Sequence, residues 1–310
     1  MNSEAIAIDT DFGRADAANR TRRVTGVTLP SIRWKSLELE RLDRLHWAAG
    51  ACFTIFGIRI GIRVNAREFL DPLMKRLPLG WEVALSTKVD RLYSAIVGNA
   101  EFAPEQCDRN FLFANGQQLG NAMKLEDLYE AFESDLDFHV GRASCTRLFV
   151  HAGAVAWKGR GIIIPGESHS GKTTLVRALL EAGATYYSDE FSVFDSDGRV
   201  HPFPRRLSVR SEGAATKIAP DQFGAQTGNT PVAVGLVVLT RYQPGAHWCP
   251  KAMSPGDGML GLIKNTLAAR RYPALTLTTL GKAICDADVV GGTRGEAGEI
   301  AQWVAQHLDR

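Results

Sequence analysis

Apolar and polar residues alternate along FTIFGIRIGIRV, so that Thr54, Phe56, Ile58, Ile60, Ile62 and Val64 share one face and Gly57, Arg59, Gly61 and Arg63 the other. A period of two belongs to a strand with one face on a core and one in water, and the run from Phe53 to Val64 predicts one half-buried antiparallel strand. AREFLDPLMKRLP reads as a short helix, and Asn115-Gly116 between two strand-like pieces of RNFLFANGQQLGNA is a hairpin signal. In KLEDLYEAFESDLDFHV the period lengthens: Leu125, Leu128, Phe132 and Leu136 recur at helical spacing and predict an amphipathic helix. The first third is therefore mixed α+β.

From RLFVHAGAVAWKGRGIIIPG onward the apolar runs are continuous rather than alternating. They predict a strand, a tight turn at Lys158-Gly159-Arg160-Gly161, and a second strand that feeds the glycine-bounded stretch GESHSGKT. KTTLVRALLEAG is helical with Gly183 as its stop, and SDE starts a return strand, FSVFD, closed by the turn DSDG. Downstream, VAVGLVVLT is a buried strand, GMLGLIKNTLAARR a helix, DADVVGG a short strand and EAGEIAQWVAQHL a final amphipathic helix. The change of pattern near residue 145 predicts a flexible tail over 1–26, a smaller α+β domain over 27–145 and a second domain over 146–310.

Composition narrows the classes without choosing among them. The chain has 310 residues, 45% of them hydrophobic and 23% charged, with a formal net charge of +2, so it can bury a large core and has no global field to draw it to nucleic acid or an anionic membrane. Its five cysteines, Cys52, Cys107, Cys145, Cys249 and Cys285, show neither a C-x-x-C pair nor zinc spacing. They predict free thiols in a reducing, cytoplasmic setting. The start of the chain is polar and mixed in charge, and no run is long and apolar enough for a bilayer. A homo-oligomer is compatible with all of this.

The chemistry concentrates in Gly166, Glu167, Ser168, His169, Ser170, Gly171, Lys172, Thr173 and Thr174. A glycine, four residues and Gly-Lys-Thr is the spacing of a P-loop, in which backbone N–H groups and the positive end of the following helix cradle phosphates. Lys172 then reaches the β- and γ-phosphates of ATP, and Thr173 ligates Mg²⁺. One helix and one return strand later, Asp189 and Glu190 come back beside the phosphates, where a carboxylate holds Mg²⁺ or takes the proton of an attacking hydroxyl. His151 lies on the strand before the loop. No Walker-B acid closes VAVGLVVLT, which ends in Thr240 and Arg241, so a hydrolase or motor is not the expected class.

VHAGAV, the hairpin, GESHSGKTTL and YYSDEFSVFD, in that order, resemble the catalytic domain of HPr kinase/phosphorylase and the wider group of HPr-kinase-like serine kinases. The resemblance covers roughly residues 146–310. It implies an α/β P-loop kinase domain of the HPr-kinase/PEP-carboxykinase type, behind a smaller N-terminal α+β domain that regulates the enzyme or presents the acceptor. It further implies an acid/base role for Asp189, a supporting or metal role for Glu190 and a place beside the phosphates for His151. HPFPRRLSVR is similar to a Pro-Arg segment of these kinases and makes Arg205 and Arg206 candidates for facing the phosphates. The glycine-rich signature associated with dephosphorylation has no clear equivalent, so phosphorolysis is not expected. The implied reaction is transfer of the γ-phosphoryl group to a hydroxyl, serine above all, of a protein, peptide or small molecule. The alternative is an ATP-sensing module that docks a peptide without turnover.

Overall fold

The computed structural model describes residues 39–84, 86–98, 109–122, 124–167, 170–211 and 214–308. The chain forms two compact units, Met1–Val140 and Gly141–Arg310. The predicted tail at 1–26 lies outside the described residues, as does Cys107. Cys52, Cys145, Cys249 and Cys285 are free thiols.

The first unit holds the helices α1 (Leu39–Asp43) and α2 (Leu70–Met74) and the strands β1 (Ala49–Ile55), β2 (Ile58–Val64), β3 (Trp81–Val83), β4 (Arg91–Ile96), β5 (Asn110–Ala114) and β6 (Gln117–Ala122). The helix α3 (Leu125–Ala143) follows. The six strands make one sheet in the order β3-β1-β2-β4-β5-β6.

The run expected as a single strand is a hairpin. Phe56 and Gly57, both at positive φ (47° and 83°), turn the chain between β1 and β2, and Phe53 pairs with Ile60 and Ile55 with Ile58. A two-residue turn puts the odd positions of β1 on the same face as the even positions of β2, so the phase of the alternation shifts at the turn. Phe53 and Ile55 are fully buried, while Thr54 is only partly so. Gly57 and Arg59 of the expected outward face are exposed, but Gly61 and Arg63 are covered. Arg63 is 0% exposed, donates to Asp43 Oδ1 at 2.6 Å and to Ser94 Oγ at 2.8 Å, and lies 4.4 Å from the centre of the Trp47 ring. Asp43 at the end of α1, Trp47 after it and Ser94 of β4 therefore enclose a residue whose alternation predicts a place in water. The hairpin at Asn115-Gly116 is present, with both residues at positive φ.

The second unit is an eight-stranded sheet in the order β11-β10-β7-β8-β14-β16-β15, with β9 also paired to β7. Its members are β7 (Leu148–Trp157), β8 (Arg160–Pro165), β9 (Thr185–Ser188), β10 (Phe191–Phe194), β11 (Val200–His201), β14 (Ala233–Tyr242), β15 (Lys251–Ala252) and β16 (Asp288–Arg294). A separate ribbon joins β12 (Leu207–Ser211) and β13 (Ala214–Ile218). The turn between β7 and β8 is Lys158-Gly159 alone, and Arg160 and Gly161 belong to β8. β8, β14 and β16 run parallel.

Four helices, α4 (Lys172–Glu181), α5 (Pro255–Lys264), α6 (Pro273–Ile284) and α7 (Ala297–Leu308), complete the unit. Ile162 and Ile164 of β8 pack with Leu175, Val176 and Leu179 of α4 and with Ile300 and Val304 of α7. Ile163, between them, packs with Leu262 of α5 and Leu280 of α6 on the other face. This three-layer α/β arrangement explains the continuous apolar run of β8, because a strand covered on both sides has no wet face. The helix expected through Arg271 ends at Lys264. The sequence reading omitted α6 altogether: its three threonines and central glycine obscure a helical stripe that packing supplies.

Candidate active site

The chain leaves β8 at Pro165 and enters α4 at Lys172. A Cβ on Gly166 would lie 2.7 Å from Ser170 Oγ, so only glycine lets the loop fold back on itself. Gly171, at φ +85°, is the N-cap of α4, and a Cβ there would collide with the Arg294 guanidinium. Among the described residues no side chain caps α4, and no acidic residue occupies its first turn. The N–H groups of that turn, at the positive end of the helix dipole, are thereby open to an anion. Gly183, at φ +104°, ends α4 through hydrogen bonds from its own N–H to Leu180 O and from Ala184 N–H to Leu179 O.

Lys172 bridges the loop. Its Nζ donates to Gly166 O at 2.8 Å and to Glu167 O at 2.9 Å, and it is 8% exposed. Burial lowers its pKa, while Glu190 and Asp189 oppose the shift. The Glu167 carbonyl also accepts from Ser170 N–H, so Gly166, Glu167 and Ser170 are tied together beside the ammonium. Ser168 and His169 lie outside the described residues.

Asp189 and Glu190 do not start a strand, as the sequence reading expected. They form a bend between β9 and β10, closed by Ser188 Oγ accepting from Phe191 N–H at 3.1 Å. Both ends of the bend are tied to β7, Ser188 opposite Ala154 and Phe191 opposite His151. This places the carboxylates next to the start of α4. Thr173 Oγ1 donates to Asp189 Oδ2 at 2.8 Å, whereas Asp189 Oδ1 is buried with no hydrogen-bond partner among the described residues. Burial pushes the Asp189 carboxyl up to about 6; the Thr173 hydrogen bond opposes this and Glu190 adds to it.

His151 is half-buried on β7. Its backbone N–H is fixed by Asn265 O at 2.7 Å, and its Nε2 lies 3.7 Å from Glu190 Oε1. Burial first and the nearby Lys172 second lower its pKa, while Glu190 and Glu167 oppose the shift. The Glu190 side chain is 55% exposed at the edge of the site.

His151, Lys172, Thr173, Thr174, Asp189 and Glu190 all line one cavity of about 460 Å³. Gly166, Glu167 and Ser170 are not among its lining residues; the Gly166 and Glu167 carbonyls meet it only through Lys172. Arg205 and Arg206 are not among the lining residues: Arg205 O accepts from Tyr186 Oη, and the Arg205 guanidinium lies over Phe203. From the same segment Ser208, Val209 and Arg210 reach the cavity instead, carried by the β12–β13 ribbon, and Arg177 joins them from α4. Sequence reasoning missed Arg177 and Arg210, because an arginine on a helix or in a polar ribbon reads as a surface residue. It also missed Arg294, which arrives at the loop only through the pairing of β14 with β16.

Among the described residues no group of three or more His, Cys, Asp or Glu side chains could hold a metal ion by itself. Thr173 Oγ1 and Asp189, with one carboxylate oxygen unmatched, nevertheless offer the one or two oxygen ligands that Mg²⁺ takes from protein when phosphates and water supply the rest. The residues present therefore fit that ion.

No family model matches the chain, and no curated protein matches it. Among solved structures the HPr(Ser) kinase/phosphatase from Coxiella burnetii is similar at 14% identity, with a TM-score of 0.29, covering 52% of this chain and 90% of that one. This is a weak structural neighbour. Among the described residues no helix is long and apolar enough to cross a membrane.

Proposed function

We propose that this chain is a kinase that transfers the γ-phosphoryl group of ATP to a hydroxyl, serine above all, of a protein, peptide or small molecule. The observation that supports it most is a buried, half-unsatisfied carboxylate, Asp189, hydrogen-bonded to Thr173 in the uncapped first turn of a helix that follows a glycine loop bridged by Lys172. In this reading the first-turn N–H groups and Lys172 orient the phosphates, and Asp189 accepts the proton of the acceptor hydroxyl as it attacks. Thr173 and Asp189, with Glu190 at the rim, hold Mg²⁺, which offsets charge on the phosphate oxygens when bound. His151, beside Glu190 and lining the cavity, stands next to the phosphates. Catalysis is then mostly positioning and charge stabilisation.

Residues 146–310 form the catalytic part, and residues 27–145 regulate it or present the acceptor. The test is single-turnover transfer from γ-labelled ATP, with free serine and a serine-containing peptide as probes and release to water measured alongside. Phosphoserine formation above the rate of release supports a kinase. ATP binding with neither transfer nor release would replace this reading with that of a nucleotide sensor.

A further inference from the structure

The 460 Å³ cavity has a neighbour at the first turn of α4. Gly171 and Thr174, which line it, also line a second cavity of about 250 Å³ whose other walls include Tyr242, Arg294 and Glu296. That volume is below the roughly 300–1,000 Å³ of pockets that enclose a complete small ligand. It suits one end of a ligand whose remainder lies next door.

The walls have the matching chemistry. Tyr242 and Arg294 are direct partners in the parallel ladder between β14 and β16 and end both strands, which brings them to the loop side of the sheet. Arg294 is 2% exposed, and its guanidinium is held by Gly171 O at 2.8 Å and Gly295 O at 3.1 Å. It makes no ion pair among the described residues, and its Nε has no hydrogen-bond partner there. Exposed Glu296 acts on this buried cation through space without pairing with it, which leaves a positive potential that an anion bound beside Gly171 offsets further. The Tyr242 ring lies 5.4 Å from this guanidinium yet is 50% exposed, so ring surface remains for a planar partner. Glu296 is exposed at the edge, and its carboxylate is able to accept hydrogen bonds from a ligand.

We propose that this second cavity is the nucleoside subsite: the base stacks on Tyr242, a sugar hydroxyl donates to Glu296, and the phosphate chain passes Gly171 and Thr174 into the larger cavity. The proposal rests on the nucleotide reading of the larger cavity.

The test compares two ligands that share the phosphates and differ in the nucleoside, MgATP and magnesium tripolyphosphate, by calorimetric titration of the wild-type chain and of Tyr242→Ala and Tyr242→Phe. Wild type should bind ATP more tightly than tripolyphosphate. Tyr242→Ala should weaken ATP by roughly five- to a hundredfold, as loss of one stacked base does, while tripolyphosphate changes little. Tyr242→Phe, which keeps the ring, should restore most of the ATP affinity. Equal affinities of wild type for the two ligands, or parallel losses of both in Tyr242→Ala, overturn the subsite and leave the phosphate site standing. If wild type binds neither ligand, the nucleotide reading itself fails and the subsite with it.

Discussion

Thr173 Oγ1 and Asp189 Oδ2 are 2.8 Å apart and hydrogen-bonded, joining the first turn of α4 to the bend between β9 and β10. A hydroxyl that follows the loop lysine and a buried carboxylate from a different element thus share one point of the cavity. Only the second oxygen of Asp189 is left without a partner among the described residues, and the consequences of that arrangement can be measured.

Asp189→Asn keeps the shape and an acceptor for Thr173 but removes the basic carboxylate. ATP should still bind, and transfer to the acceptor should fall by about 10²–10⁴-fold, the usual loss for a general base. Glu190→Gln, at the exposed edge, should lose less. Single-turnover rates for both variants, with ATP affinity measured in parallel, check this; a near-normal rate for Asp189→Asn moves the base elsewhere.

The same carboxylate gives the apoprotein a pH dependence. Its pKa rises from the ordinary 3.8 to about 6 on folding, so between these values the folded state keeps a proton that the unfolded state has released. Stability therefore falls as pH rises from about 4 to 6 and stays lowered above that, by an amount on the order of 2–3 kcal/mol. Asp189→Asn should be more stable than wild type at pH 7.5 and equal to it near pH 4. Urea denaturation in chelator at the two pH values tests this, and a gain independent of pH would assign the effect to packing instead.

Lys172→Ala removes a charge-assisted donor from the phosphate site together with the bridge to the Gly166 and Glu167 carbonyls. ATP affinity should drop by about 1.5–3 kcal/mol, roughly ten- to a hundredfold. Titration that finds the variant and wild type equal would show that the phosphates bind elsewhere.

Gly171→Ala meets two obstacles at once, a left-handed backbone and the Arg294 guanidinium. The backbone alone costs about 1–2 kcal/mol, and displacing Arg294 adds to it. Chemical denaturation should show a loss of at least that size. Wild-type stability would mean that the loop relaxes freely around this position.

In the first unit, Asp43→Ala leaves the fully buried Arg63 without its 2.6 Å carboxylate partner. Breaking such a pair costs about 3–5 kcal/mol when both groups are buried; Asp43 is 17% exposed, so about 3 kcal/mol is expected. A loss under 1 kcal/mol, read from the denaturation midpoint, would mean that water or the other neighbours of Arg63 replace the carboxylate.

The strand, glycine loop and helix over residues 160–181 are legible in the amino-acid order, because each depends on neighbours a few positions away: an apolar run, glycines at positions that exclude a Cβ, and a helical stripe stopped by Gly183. The same local logic brings Lys172 and Thr173 into the candidate site. It does not extend to Phe56-Gly57, where a non-glycine residue at positive φ starts a turn that reverses the alternation, or to Arg63, which Asp43, Trp47 and Ser94 enclose. Asp189 sits in a bend rather than on a strand because Ser188 Oγ and the pairing with β7 outweigh the β-propensity around it. Arg294 reaches Gly171 only because two strands far apart in the chain run parallel and end together. Local periodicity and steric limits on single residues are written in the sequence, whereas burial of a charge and the meeting of remote side chains follow from which surfaces pack together, a choice made by the whole core at once.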